Sequence, residues 1–83
     1  MPPRQIVYVL QSVEHPDQIY TGLCSDLDAR LHAHNAGQSS HTAKFKPWRL
    51  ISYHHFSDEA VAVAFERYLK TGSGRAFAAK RLR

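Results

Sequence analysis

Gln5-Ile6-Val7-Tyr8-Val9-Leu10-Gln11-Ser12, a turn at His15-Pro16-Asp17, and Gln18-Ile19-Tyr20-Thr21-Gly22-Leu23 form the stretch that decides the fold. The first segment is β-branched or bulky on both of its alternating faces, which predicts a central strand covered from either side. Proline presets a turn and Asp17 can close it, so the second segment should return as the other half of a hairpin. Tyr8 and Tyr20 are both even-numbered. A hairpin that pairs them directly or diagonally points both rings to one face. Aromatics favour sheets, so alone the two tyrosines read as strand residues filling a core.

Working outward, Ser25 offers a helix N-cap, and Asp26 and Asp28 place negative charge in the first turn. Leu27 and Leu31 give an apolar stripe. The helix should end near Asn35, with Gly37 available for a left-handed cap. Residues 36–47 are polar, basic and irregular, which predicts a surface loop ending at Pro47. Trp48 to Phe56 reads as a third strand. Ser57 and Asp58 offer the cap of a second helix running to about Thr71, with Val61, Ala64, Phe65 and Tyr68 as its buried stripe. Gly72-Ser73-Gly74 should break it. Arg75 to Leu82 fits a short third helix with Phe77 inward and Lys80, Arg81 and Arg83 outward. The expectation is an α+β domain spanning 1–83: a three-stranded, mostly antiparallel sheet flanked by helices, in the order β-β-α-β-α-α.

A chain of 83 residues is enough for one domain. At that size only about 60–65% of the unfolded chain's surface is buried, so a shallow surface cleft is easier to build than a deep cofactor pocket. Lys and Arg outnumber Asp and Glu by 11 to 7, a formal charge of +4 that favours polyanionic partners or simply a solvated basic surface. The single cysteine, Cys24, excludes an internal disulfide and a cysteine zinc clip, and fits a reducing compartment. The apolar run Ile6 to Leu10 is too short for a signal segment or a membrane span. A cytoplasmic protein with no membrane association is expected.

In this order of elements stand Ile6-Val7-Tyr8 and Tyr20-Thr21-Gly22 on the hairpin and Asp28-Ala29-Arg30-Leu31 on the first helix. His34-Asn35-Ala36-Gly37 follows one turn later, and Phe65-Glu66-Arg67-Tyr68-Leu69-Lys70 lies on the second helix. From Ile6 to about Leu82 the chain resembles the GIY-YIG nucleases, in particular their small single-domain members. Two positions depart from that pattern. Ile6 stands where the first triplet has glycine, and no Asn follows Asn35, although many members carry one late in the chain.

The resemblance implies a metal-dependent endonuclease acting on DNA, with Tyr8, Tyr20, Arg30, His34 and Glu66 as its site. Cutting a phosphodiester requires an activated water, neutralised phosphoryl charge and a stabilised leaving oxygen. Glu66 would be the metal ligand, with Mg²⁺ the expected ion and Mn²⁺ a substitute, since Mg²⁺ accepts one carboxylate plus waters and phosphate oxygens. Spacing alone equally allows a Glu66–Lys70 ion pair. Arg30 would clamp phosphate through its planar fork, or pair with Asp26 on its own helix. Tyr8 would be the general base, with Tyr20 beside it, although a free phenol near pKa 10 needs help from a cation. His34 shares a flank with Arg30 and would hold a hydroxyl or water, or act as an alternative base. An exposed histidine at a helix C-terminus is the plain alternative. Gly22 reads as a place of close backbone approach. Lys44, Lys46, Arg49, Lys70 and Arg75 are the basic residues expected around the cleft for DNA backbone contacts. Structure preference, such as nicks or branches in repair or recombination, is expected over sequence preference, because no recognition helix is visible. A binding module of the same fold that grips DNA without cutting is the alternative.

Overall fold

The computed structural model describes residues 2–83. Strands β1 (Ile6–Ser12), β2 (Ile19–Cys24) and β3 (Trp48–His55) form one antiparallel sheet in the order β2-β1-β3. Helices α1 (Leu27–Asn35), α2 (Glu59–Leu69) and α3 (Gly72–Arg81) complete the α+β order β-β-α-β-α-α. Among the described residues no helix is long and apolar enough to cross a membrane.

The first strand in the chain is the central one of the sheet, which explains why its sequence is apolar on both faces. Val7 and Val9 are fully buried with Ala62 and Leu69 of α2 and Ala78 of α3, and Phe65, Ile51 and Leu82 pack against them. Tyr8 and Leu10 are buried on the other face with Cys24 and Trp48, backed by Leu27 and Leu31 of α1. The strand is thus the partition between two small cores, one under α2 and α3 and one under α1.

Hairpin register sets the tyrosines. Tyr8 pairs with Gly22 and Leu10 with Tyr20, so the two tyrosines are diagonal neighbours on one face, ring centroids 6.2 Å apart. On the other side of β1 the register slips between Val9 and Leu10, which pair with Ser52 and Leu50 and leave Ile51 as the extra residue. That bulge turns Leu50 and Trp48 onto the face of Tyr8 and Leu10 while Ile51 joins the opposite core.

Several local expectations are corrected. Asp26, not Ser25, caps α1: its carboxylate accepts the Ala29 N–H at 3.1 Å. The buried positions of α2 are Ala62 and Leu69, with Phe65 half-buried between them, whereas Val61, Ala64 and Tyr68 face outward. Gly72-Ser73-Gly74 does not end a helix but begins one. Thr71 is the N-cap, its hydroxyl accepting the Gly74 N–H at 3.0 Å. The first turn of α3 closes so tightly on the end of α2 that a Cβ at Gly74 would overlap the Tyr68 carbonyl. Gly74 and Ala78, one turn apart and both small, are therefore the face that α3 buries. Phe77 is rotated out, 38% exposed, with its ring 6.0 Å from that of Tyr68. Residues 36–47 are not a plain surface loop: they include a short 3₁₀ turn at Ala43–Phe45 and bury Thr42.

Candidate active site

Strand β1 delivers Tyr8 to the α1 face, and its partner there is glycine for a spatial reason. A Cβ on Gly22 would overlap the Tyr8 phenol, so the ring lies across the bare backbone of β2. Helix α1 brings Arg30 and His34 to the same ring. The Arg30 Nε–H donates to Tyr8 Oη at 3.3 Å, and Tyr8 Oη hydrogen-bonds with His34 Nε2 at 2.9 Å. Tyr20 closes the cluster, its ring centroid 4.9 Å from that of His34 in an edge-to-face arrangement.

The four residues differ sharply in exposure, and that sets their chemistry. Tyr8 and His34 are 1% and 0% exposed. Arg30 is exposed as a residue, and its Nε reaches inward to Tyr8. Burial pushes the Tyr8 phenol up to about 12, against the opposing pull of the Arg30 hydrogen bond, with Tyr20 adding to the rise. Burial, with the Arg30 charge beside it, holds His34 below its ordinary value, so its resting form is neutral. The contact with Tyr8 in turn keeps Arg30 firmly charged. The arrangement is a buried, neutral Tyr–His pair beside an exposed cation.

His34 was open to reading as an exposed helix-end histidine. It is instead the buried anchor of α1, and its other ring nitrogen is also occupied: Nδ1 hydrogen-bonds with Thr42 Oγ1 at 2.7 Å. Nothing in the pattern of residues 36–47 singles Thr42 out. It lies in a polar run without periodicity, and its burial depends on the helix behind it. Trp48 Nε1–H donates to the Thr42 carbonyl at 2.9 Å, and Asn35 clamps Trp48 by accepting its N–H at 2.6 Å and donating to its carbonyl at 3.1 Å.

Glu66 is bonded outside this network. It lies on α2, whose apolar face covers the opposite core, and its carboxylate pairs with the Lys70 ammonium at 2.6 Å, one turn along the helix. The Glu66 side chain is only 15% exposed. Lys70 and Arg75 also line a groove beside β2 that Tyr20 and Thr21 share, so the α2–α3 cations and the tyrosine face meet along that edge. Lys44, Lys46 and Arg49 are exposed, with Lys44 5.2 Å from the Phe45 ring and Arg49 donating to Gln11. The basic residues are therefore split between the β2 edge and the segment leading into β3.

A family of catalytic domains, described as the GIY-YIG catalytic domain, matches residues 4–80. The chain belongs to the GIY-YIG family. The match spans both hairpin triplets, α1 and the α2 glutamate. Among curated proteins, UPF0213 protein SpyM3_1077 of Streptococcus pyogenes serotype M3 (strain ATCC BAA-595 / MGAS315) is 34% identical over 65 residues, covering 77% of this chain and 68% of that protein. UPF0213 protein MGAS10750_Spy1258 of Streptococcus pyogenes serotype M4 (strain MGAS10750) matches to the same extent. No solved structure matches the chain.

Proposed function

We propose that this GIY-YIG chain is a metal-dependent endonuclease that hydrolyses phosphodiester bonds in DNA, selecting DNA structure rather than sequence, in a cytoplasmic repair or recombination setting. The observation that carries the proposal is the Arg30–Tyr8–His34 chain of hydrogen bonds, with a cation at its solvent end and a base at its buried end. An exposed guanidinium can hold a scissile phosphate against Tyr8. The attacking water gives its proton to the Tyr8 oxygen while the Tyr8 proton passes to His34 Nε2. Water oxygen then bonds to phosphorus, the bond to the leaving oxygen breaks, and that oxygen takes a proton from solvent. Arg30 faces both the phenolic oxygen and the phosphate, so it offsets negative charge at the moment it develops.

Glu66 fits a hard divalent cation of the Mg²⁺ or Mn²⁺ kind. Its donors are carboxylate oxygens, and among the described residues no group of three or more His, Cys, Asp or Glu offers a softer cage. When bound, such an ion would act as a Lewis acid on phosphate oxygen. Lys44, Lys46, Arg49, Lys70 and Arg75 would supply contacts to the DNA backbone.

The test uses supercoiled, nicked and branched DNA with Mg²⁺ or Mn²⁺, with chelator, and with Glu66→Gln. The expected result is cleavage that disappears with chelator and with the variant. A second reading is a DNA-binding module that does not cut, favoured by the Lys70 ammonium that occupies Glu66. Salt-sensitive binding of short DNA with every substrate left intact would establish that reading instead.

A further inference from the structure

Thr42 shares a buried cage with His34 that the proton relay does not by itself require. Its hydroxyl oxygen is 2.7 Å from His34 Nδ1, and the same hydroxyl points to the Ser39 carbonyl at 3.5 Å. Thr42 is 1% exposed, so water cannot readily substitute for either partner. Two neutral imidazole forms are conceivable, and they make opposite demands on the neighbours. If Nε2 carries the proton, Tyr8 Oη faces two donors, Arg30 Nε–H and His34 Nε2–H. The hydroxyl hydrogen of the buried phenol is then left without an acceptor among its bonded neighbours. If Nδ1 carries the proton, every group is satisfied in one direction. Arg30 Nε–H donates to Tyr8, Tyr8 O–H donates to His34 Nε2, Nδ1–H donates to Thr42 Oγ1, and the Thr42 hydroxyl donates to Ser39. A buried polar group left without a partner is strongly disfavoured, which decides between the forms.

We infer that Thr42 is a positioning residue that fixes His34 as the Nδ1–H tautomer, so that Nε2 presents its lone pair to the Tyr8 hydroxyl. The inference rests on the proposed nuclease reading for its consequence, though not for its geometry. Thr42 occupies the place relative to His34 that a carboxylate takes in charge-relay triads, but it is neutral and lies in a neutral pocket. Its hydroxyl orients the imidazole and accepts Nδ1–H in both the imidazole and the imidazolium, so the ring need not turn when the Tyr8 proton arrives. The Trp48 Nε1–H bond to the Thr42 carbonyl and the Asn35 clamp on Trp48 hold that hydroxyl in place.

The experiment combines histidine ¹⁵N spectra with DNA cleavage in Thr42→Val, which keeps the shape and removes the hydroxyl, and in Thr42→Ser, which restores it. His34→Gln assigns the resonance. Wild type should show a protonated Nδ1 and an unprotonated Nε2. Thr42→Val should lose that pattern and lower kcat roughly 10- to 100-fold, with KM unchanged, and Thr42→Ser should recover both. An Nε2–H tautomer in wild type, or an unaltered tautomer in Thr42→Val, overturns the inference. Equal cleavage by wild type and Thr42→Val overturns it as well. If wild type cuts no DNA, the nuclease reading falls, and the spectra still decide the role of Thr42 because they need no activity.

Discussion

The two faces of β1 are built from alternate residues of one strand, equally buried, yet they differ in kind. Val7 and Val9 pack with apolar side chains of α2, α3 and β3, and stand opposite His54 and Ser52 in the strand register. Tyr8, one residue away from either, is bonded to Arg30 and His34, and His34 to Thr42. One face holds the fold together by removing apolar area from water. The other spends comparable burial on groups that water would otherwise satisfy, and it is stable because each finds a protein partner. The contrast shows how one strand carries a hydrogen-bonded cluster on one face and an apolar cluster on the other.

The sharpest way to break this contrast is to change one face and read the other. Tyr8→Phe should reduce DNA cleavage by about 10²–10⁴-fold, since it removes the atom shared by Arg30 and His34. Unchanged cleavage would mean that the polar face is merely structural. Val9→Ala should do the reverse. It should destabilise the protein by about 2–3 kcal/mol in denaturant titration, while the folded fraction retains its activity per molecule. A loss of activity beyond the loss of folded protein would show that the strand does not insulate its two faces.

The third effect is smaller and concerns pH. Burial lowers the pKa of His34 on one face and of His54 on the other, where His54 lies against Phe65 with its Nε2 unpartnered. In the unfolded chain both take up protons around their ordinary value of 6.5, whereas the folded protein does so only at lower pH. Below that value the unfolded state binds more protons, so stability falls as pH drops through 6.5 towards the lower folded values, and is fully present above it. Denaturant midpoints measured on either side of that window should differ in this direction. His54→Leu should remove part of the difference without altering cleavage. A midpoint independent of pH would contradict the neutral burial of both rings.

Much of this organisation is legible in the sequence because it rests on patterns with a period. The doubly apolar β1, the turn at Pro16 and the even spacing of Tyr8 and Tyr20 give the hairpin and its tyrosine face. The spacing of Arg30 and His34 puts both on one flank of α1. What has no period is not legible. Phe77 reads as the inward residue of its helix by hydrophobicity, but the phase of α3 is set by the smallest residues, Gly74 and Ala78, because they allow the closest approach. The capping role falls to Asp26 rather than its neighbour Ser25, a difference of one residue between two competent caps. Thr42 is silent for a further reason: its role depends on a histidine that reaches it only after α1 has docked. Both readings of Glu66, metal ligand and helical ion pair, are legible in the sequence; its partner in the structure is Lys70, and the ligand role belongs to the proposed function.

Residues 36–47 form a segment tied to the rest of the fold by side-chain and backbone hydrogen bonds. Asn35 fixes its exit into β3, Thr42 bonds inward, and the Ser12 hydroxyl donates to the Phe45 carbonyl at 2.7 Å while Val13 N–H donates to the Pro47 carbonyl at 3.0 Å. Phe45 also packs against the Tyr8 core, and a segment held at several points in this way is expected to open as a unit. Opening it withdraws Thr42 from His34, and the site loses its shape before the sheet does. Amide exchange in the loop and the accessibility of His34 to solvent should therefore share one rate, which would make the segment a clock for how long the catalytic geometry persists between openings.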